Sequence, residues 1–392
     1  MKKSFLLLIA AFFTLAATAQ TELNEQLNPL ITGVPSLTIT PDARAAGMGD
    51  VGVASKPDIN SQHWNLSKYA FMESPAGFTF SYTPWLSKLV SDIHLLYTAG
   101  YWKFDDLQAV SGSIRYFSLG DIKLTGERPD DDYGTAHPNE MAIDLGYSRK
   151  LSDKLSAGVA FRYIRSDLNN GINNTADPMF PGNAIGADVT AYFDQPIELY
   201  SGDAHLAFGL NVSNIGSKIS YDQNLTSIFI PTNLRLGTSF EYPMDDYNKF
   251  SVNFDINKLL VPTPVKPIGD ETYDSPEYIE RWEAYQQTGP IAGIFKSFGD
   301  APGGFAEELR EINWSLGAEY GYNDQFFVRA GYFNEHALKG NRKFFTAGAG
   351  FKMNMFQIDA AYLISVAQSN PLDQTLRLTL GFDFDGLKNL MR

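Results

Sequence analysis

Cysteine is absent from the chain. That excludes a disulfide framework, a thiol nucleophile, a Cys-based metal site and a lipid anchor built on an N-terminal cysteine. Basic charge is scarce: 31 Lys and Arg stand against 45 Asp and Glu, a net charge of -14. Nucleic acid, which needs basic patches, is not an expected partner. The five histidines are His63, His94, His137, His205 and His336, and none pairs with another at metal-ligand spacing, so they read as solvated or structural. Neither H-E-x-x-H nor G-x-S-x-G occurs. No enzymatic activity and no cofactor is expected. Beyond the first 19 residues there is no apolar run of the roughly 18 residues that a membrane helix needs.

What is present begins with an export leader. Lys2-Lys3, an apolar stretch from Phe5 to Leu15, and Ala17-Thr18-Ala19 form a secretory signal peptide over residues 1–19, leaving Gln20 first. An exported chain without disulfides fits a prokaryotic route. Mean hydropathy is -0.19, but a barrel whose lipid-facing and lumen-facing residues alternate hides its apolar band in such an average. Aromatics make up 14% of the chain, with 20 tyrosines, a surplus that girdles at two membrane interfaces would use.

Alternation recurs from residue 78 onward. Phe345, Ala347, Ala349, Phe351 and Met353 are apolar, while Thr346, Gly348, Gly350 and Lys352 between them are small or polar. Fourteen such segments predict strands: 78–82, 93–104, 109–119, 141–150, 155–165, 184–193, 204–214, 233–242, 249–257, 311–322, 326–334, 343–353, 356–365 and 375–384. Most are about ten residues long, enough for a tilted strand to cross a bilayer. Their connections sort into two kinds. Every second one is short, as at Asp105-Asp106, Asn323-Asp324 and Asn354-Met355, with a longer reversal over 194–203 in the same set. The others are long and polar. Short turns on one rim and long loops on the other predict an outer-membrane barrel, which must close on itself because hydrocarbon leaves backbone polar groups no other partner. The expected fold is all-β: a transmembrane, 14-stranded antiparallel barrel over residues 77–385, followed by a periplasmic tail over 386–392.

Residues 20–76 are rich in Gly and Pro and poor in long alternation. A barrel this wide leaks unless filled, and larger barrels are often plugged. The segment is therefore expected to fold inside the lumen as a hatch. Asp42, Arg44, Asp50 and His63-Trp64 are its candidate anchors, with Arg44 paired to Asp42 or Asp50, because buried charge must be paired.

"NPLITGVPSLTITPDARAAGMGDVGVASKPDINSQHWN", followed by "FTFSYTPWLSKLVSDIHLLYTAGYWKF", resembles the PorV (LptO) family of type IX secretion system outer-membrane proteins of Bacteroidetes. The resemblance extends along essentially the whole chain, although Asn65-Leu66-Ser67 replaces the Asn-Pro usual in that family. It implies a FadL-like barrel of fourteen strands with an N-terminal hatch, in agreement with the segments counted above. It also implies a role without catalysis. Secreted proteins are bound by their C-terminal signal domain, collected at the large translocon barrel of SprA or Sov type, and passed to a surface attachment complex containing the sortase-like subunit PorU. The likeness to FadL implies the alternative, a transporter for hydrophobic small molecules.

The loop over residues 258–310 is the longest, and mixes carboxylates with aromatics. Loops above about 15 residues in compact folds are usually functional or disordered. Tyr273, Tyr278, Trp282, Tyr285, Phe295 and Phe298 are its candidate partner-binding residues, since Trp and Tyr are over-represented in interface hot spots. "EYIERWEAYQQ" reads as a short helix. The run Asp130, Asp131, Asp132 lacks the spacing of a calcium loop and reads as a solvated loop tip.

Overall fold

The structure is a computed structural model that describes residues 27–384, apart from 89, 126–131, 171–179, 200–201, 223–225, 268–270 and 367–371. The signal peptide, residues 20–26 of the hatch, Asp130, Asp131 and the tail over 386–392 lie outside the described residues.

The strands are β1 (Ala76–Pro84), β2 (Ile93–Lys103), β3 (Gln108–Leu119), β4 (Ile122–Thr125), β5 (Asp132–Ala136), β6 (Asn139–Lys150), β7 (Leu155–Asp167) and β8 (Gly182–Leu199). They continue as β9 (Gly202–Gly216), β10 (Asn233–Pro243), β11 (Asn248–Leu259), β12 (Ile312–Tyr322), β13 (Phe326–Asn334), β14 (Lys343–Met353), β15 (Phe356–Ser365) and β16 (Leu376–Asp383). Fourteen of them close into one antiparallel barrel, in which β1 pairs with both β2 and β16. The other two, β4 and β5, form a separate hairpin in the connection between β3 and β6. Each of the fourteen predicted segments coincides with a barrel strand.

Alternation sorts the residues as a bilayer requires. On β16, Leu376, Leu378 and Leu380 are exposed while Arg377 and Thr379 are buried. On β11, Phe250, Val252 and Ile256 point out while Ser251, Asn253 and Asp255 are enclosed. A soluble sheet would bury the first set. Here the outer face meets lipid, and the polar line faces the lumen. Tight reversals at the inner rim use residues that tolerate a left-handed backbone: Asn354 has φ 50°, and Asn323 and Asp324 have φ 54° and 51°. The expected reversal over 194–203 is instead mostly strand, because β8 and β9 stay paired out to Leu199 and Gly202.

The chain before β1 fills the lumen. It starts at the outer rim, where the Asn28 N–H donates to the Leu338 carbonyl and the Gly33 N–H to that of Phe229. It ends at the inner rim, where the Lys103 N–H donates to the Pro75 carbonyl. Between these points lie only short turns of helix, Pro35–Thr38, Ala43–Ala46, Ser61–Trp64 and Leu66–Phe71. Such a segment cannot satisfy its own backbone, so the wall does. Ala43 N–H donates to Thr379 Oγ1 at 2.9 Å, Gly49 N–H to Thr346 Oγ1 at 2.8 Å, and the Gly52 and Val53 N–H groups to Asp255 Oδ2 at 2.8 and 3.0 Å. The small inward residues of the strands make this approach feasible. A Cβ on Gly331 would lie 2.0 Å from the Met48 carbonyl carbon, and one on Gly209 would lie 2.2 Å from the Val53 oxygen.

Candidate functional site

The candidate anchors all sit inside the barrel, with partners both in the hatch and on the wall. Asp42 is fully enclosed; its carboxylate caps the Ala43–Ala46 helix by accepting the Ala45 N–H at 2.9 Å and accepts Trp64 Nε1–H at 2.7 Å. Arg44 pairs with neither Asp42 nor Asp50. It donates in a fork to Glu319 at 2.9 and 3.1 Å and to Asp58 at 2.9 Å. Asp50 accepts from Arg377 of β16 at 2.9 Å. Arg44 does pair within the hatch, but with Asp58, because Asp42 is taken up by its cap and by Trp64 and Asp50 by Arg377.

A chain of charge therefore crosses from plug to wall. Arg329 of β13 donates to Glu319 at 2.6 Å and to Asp359 of β15 at 2.6 Å, which extends the Asp58, Arg44, Glu319 line around the barrel. A second cluster lies in the wall, where Arg162 donates to Asp144 at 2.6 Å and to Asp188 at 3.0 Å. Arg115 donates to the carbonyls of Ser36 and Ile39 at 2.6 and 2.9 Å. The alternation does carry a signal for these partners: a charged residue on the inward line of a membrane strand must be answered from the lumen.

Among the described residues, two cavities that share no lining residue lie on either side of the hatch. The inner one, about 290 Å³, is ringed by ion pairs such as Lys56 with Glu241 and Lys249 with Asp324. The outer one, about 300 Å³, opens among the long loops and is lined by Trp64, Trp85, Arg235, Phe333 and Arg377.

At the outer rim stands the long loop, folded into helices at Pro276–Gln287, Pro290–Lys296 and Phe305–Arg310. Pro276 starts the first helix, where its missing N–H costs nothing. Lys218 donates to the Gln286 carbonyl at 2.8 Å and so places a cation at the negative end of the helix. Tyr278, Trp282 and Tyr285 fall on one face of it. Trp282 stacks on Tyr285 at 5.6 Å and on Tyr278 at 6.5 Å, Tyr273 meets Tyr278 edge-on at 5.2 Å, and Tyr285 reaches Phe229 at 5.9 Å. Phe295 and Phe298 do not join this ladder; they are exposed farther along, at 75% and 54%. The loop is fastened by Lys258 to Glu308 and Glu311 at 3.0 and 2.7 Å, and by Lys339 to Glu307 and Glu311 at 2.6 and 3.0 Å. Thr263 donates to Glu311 at 2.8 Å and so draws the two ends of the loop together.

The histidines are dispersed. His63 faces Arg115 at 3.1 Å, His137 pairs with Asp121 at 2.6 Å and His205 with Asp194 at 3.0 Å. Among the described residues no group of three or more His, Asp or Glu is placed to hold a metal ion.

Comparison with known proteins completes the picture. Among curated proteins no sequence matches. The toluene transporter TodX of P. putida superposes with a TM-score of 0.51 at 10% identity, covering 88% of this chain and 98% of that one. The Ralstonia pickettii toluene transporter TbuX gives 0.48 at 11% identity, with 87% and 97% covered. A Pseudomonas aeruginosa FadL homologue gives 0.44 at 12%, with 88% and 99% covered. At 10% identity TodX speaks for the fold alone. A family profile described as "Type IX secretion system protein PorV" matches residues 22–266, more than half of the chain. With a lipid-facing wall of fourteen strands and a lumen closed by its own N-terminal segment, this chain belongs to the PorV family, an outer-membrane component of the type IX secretion system.

Proposed function

We propose that the barrel is a membrane-held carrier without catalytic activity. It binds exported proteins by their C-terminal signal domain at its outer face, collects them at the SprA- or Sov-type translocon barrel, and hands them to the attachment complex that contains PorU. One contrast carries this reading. The lumen is occupied and fastened, while the outer face is built up into a helical loop with an aromatic ladder and exposed phenylalanines. A conduit spends its residues on the lumen, whereas a docking platform spends them on the rim, where aromatic anchors give the most binding energy.

The test removes residues 265–305 and bridges the gap with a short Gly/Ser link. The ends are already close, and Lys258, Glu308, Glu311 and Lys339 remain to hold the rim. Co-purification of exported proteins should fall to background while the barrel keeps its heat-modifiable migration. Recovery equal to that of the intact protein would refute docking at this loop.

The alternative, a channel for hydrophobic small molecules, draws support from the cavities on either side of the hatch. Against it stand the ion pairs that fix the hatch and the unbroken pairing along β2, β3 and β6, which leaves no gap toward lipid there. Saturable, protein-dependent uptake of a long-chain acid would revive it.

A further inference from the structure

The outer cavity keeps cationic capacity that its own walls do not use. Arg235 of β10, Arg342 just before β14 and Arg377 of β16 approach it from different sides. Each guanidinium lies over an aromatic ring: Arg235 over Trp64 at 5.1 Å, Arg342 over Phe333 at 5.5 Å and Arg377 over Trp85 at 6.0 Å. Arg342 is committed to Glu335 through bonds of 2.7 and 2.9 Å. Arg377 gives one nitrogen to Asp50, and its buried Nε has no acceptor. Arg235 donates to the His63 carbonyl at 3.1 Å. Among the described residues no carboxylate lies within ion-pair distance of it. The acids on the same lining are already engaged: Asp50 by Arg377, Glu335 by Arg342, and Glu311 by Lys258 and Lys339. Both Arg235 and Arg377 are buried, at 5% and 3% exposure. Asp255 and Asp188 answer Arg235 only at longer range, and a buried cation without a paired carboxylate is unfavourable, so the cavity can take an anion that arrives from outside.

The rest of the lining says what kind of anion. Leu259, Phe344, Leu363 and Leu372 are apolar, so the site suits a negative head on an apolar body. The hatch closes the floor, so a chain can enter but not pass. Only an end fits, and at about 300 Å³ the space is at the small end of ligand pockets. Guanidinium forks match carboxylates in plane and spacing, and capture of a terminal carboxylate is a recurring mode of peptide recognition.

We propose that this cavity seats the free C-terminal carboxylate of the bound exported protein, held by Arg235 and Arg377. The proposal rests on the carrier reading above and gives it an address. The experiment uses the full-length protein in detergent and the C-terminal signal domain of an exported protein, labelled with a fluorophore. The domain is prepared with a free terminal carboxylate or with a terminal carboxamide, and binding is followed by anisotropy. The carboxamide should bind about tenfold more weakly or worse, as loss of a charge-assisted bond implies. Arg235→Gln should weaken the free acid and leave the carboxamide unchanged. The acid–amide comparison on unaltered protein stands even if a variant misfolds. Equal affinity of the two forms overturns the proposal and leaves the carrier reading intact; no binding of either form overturns both. Arg235-dependent binding of a long-chain fatty acid, with no acid–amide difference for the domain, would assign the cavity to a small amphipathic acid and also overturn the proposal.

Discussion

Glu319 lies between two guanidinium groups, Arg44 of the hatch and Arg329 of the wall. Removing its charge leaves two enclosed cations facing each other. Because Asp58 and Asp359 still answer Arg44 and Arg329, Glu319→Gln should cost about 1–3 kcal/mol, less than an unanswered buried charge would. The loss should show as a lower unfolding midpoint in detergent and earlier protease cleavage in residues 27–75. Gly331 tests the same contact sterically. Its missing side chain admits the Met48 backbone, so Gly331→Val should displace the hatch and destabilise by about 1–3 kcal/mol, as overpacking does. Ala347→Val on the exposed face of the neighbouring strand should leave both readouts unchanged. At this scale the sequence was half legible. It marked Asp42, Arg44 and Asp50 as charges in need of partners. It could not name Glu319, which is 275 positions from Arg44, because that pairing exists only once the barrel is closed.

The strands were the most legible elements, because lipid on one side and polar filling on the other impose a strict period of two. The hatch helices were not. At four to six residues each they are too short for a periodic pattern, and their backbone is satisfied from the wall. The β4–β5 hairpin was hidden for a related reason: its strands are only four and five residues long, too short for a period of two to stand out. In the long loop "EYIERWEAYQQ" gave a visible helix, whereas the fastening of that loop by Lys258 and Lys339 depends on residues outside its aromatic stretch. Asp300 gives this loop a pH response. Its carboxyl accepts the Thr263 N–H at 3.2 Å. Burial, with Glu308 and Glu311 adding to it, pushes its pKa from 3.8 to about 6. The closed loop thus holds the proton more tightly than an opened one. The stabilisation is complete below the ordinary carboxylate value and is lost as pH rises through about 6. Protease nicking within residues 265–305 should be slower at acidic pH than at neutral pH, and Asp300→Asn should flatten that difference.

The molecule as a whole is an inverted globule, with apolar residues outside and a polar, ion-paired interior. A charge placed on the outer wall should be punished by depth. Leu380→Arg, near the middle of β16, should cost about 2–4 kcal/mol in reversible folding into bilayers, and the same change near a rim about 0–1 kcal/mol. The path of the hatch sets a further condition on the whole. Its described start is at the outer mouth and its end at the inner rim, although the polypeptide reaches the membrane from within. Were β1 and β16 zipped together first, that leading segment would have to thread a finished tube studded with inward arginines and carboxylates. The order of assembly therefore runs the other way: the sheet wraps around a strand of chain already laid through it, and the seam between first and last strands is the final stitch.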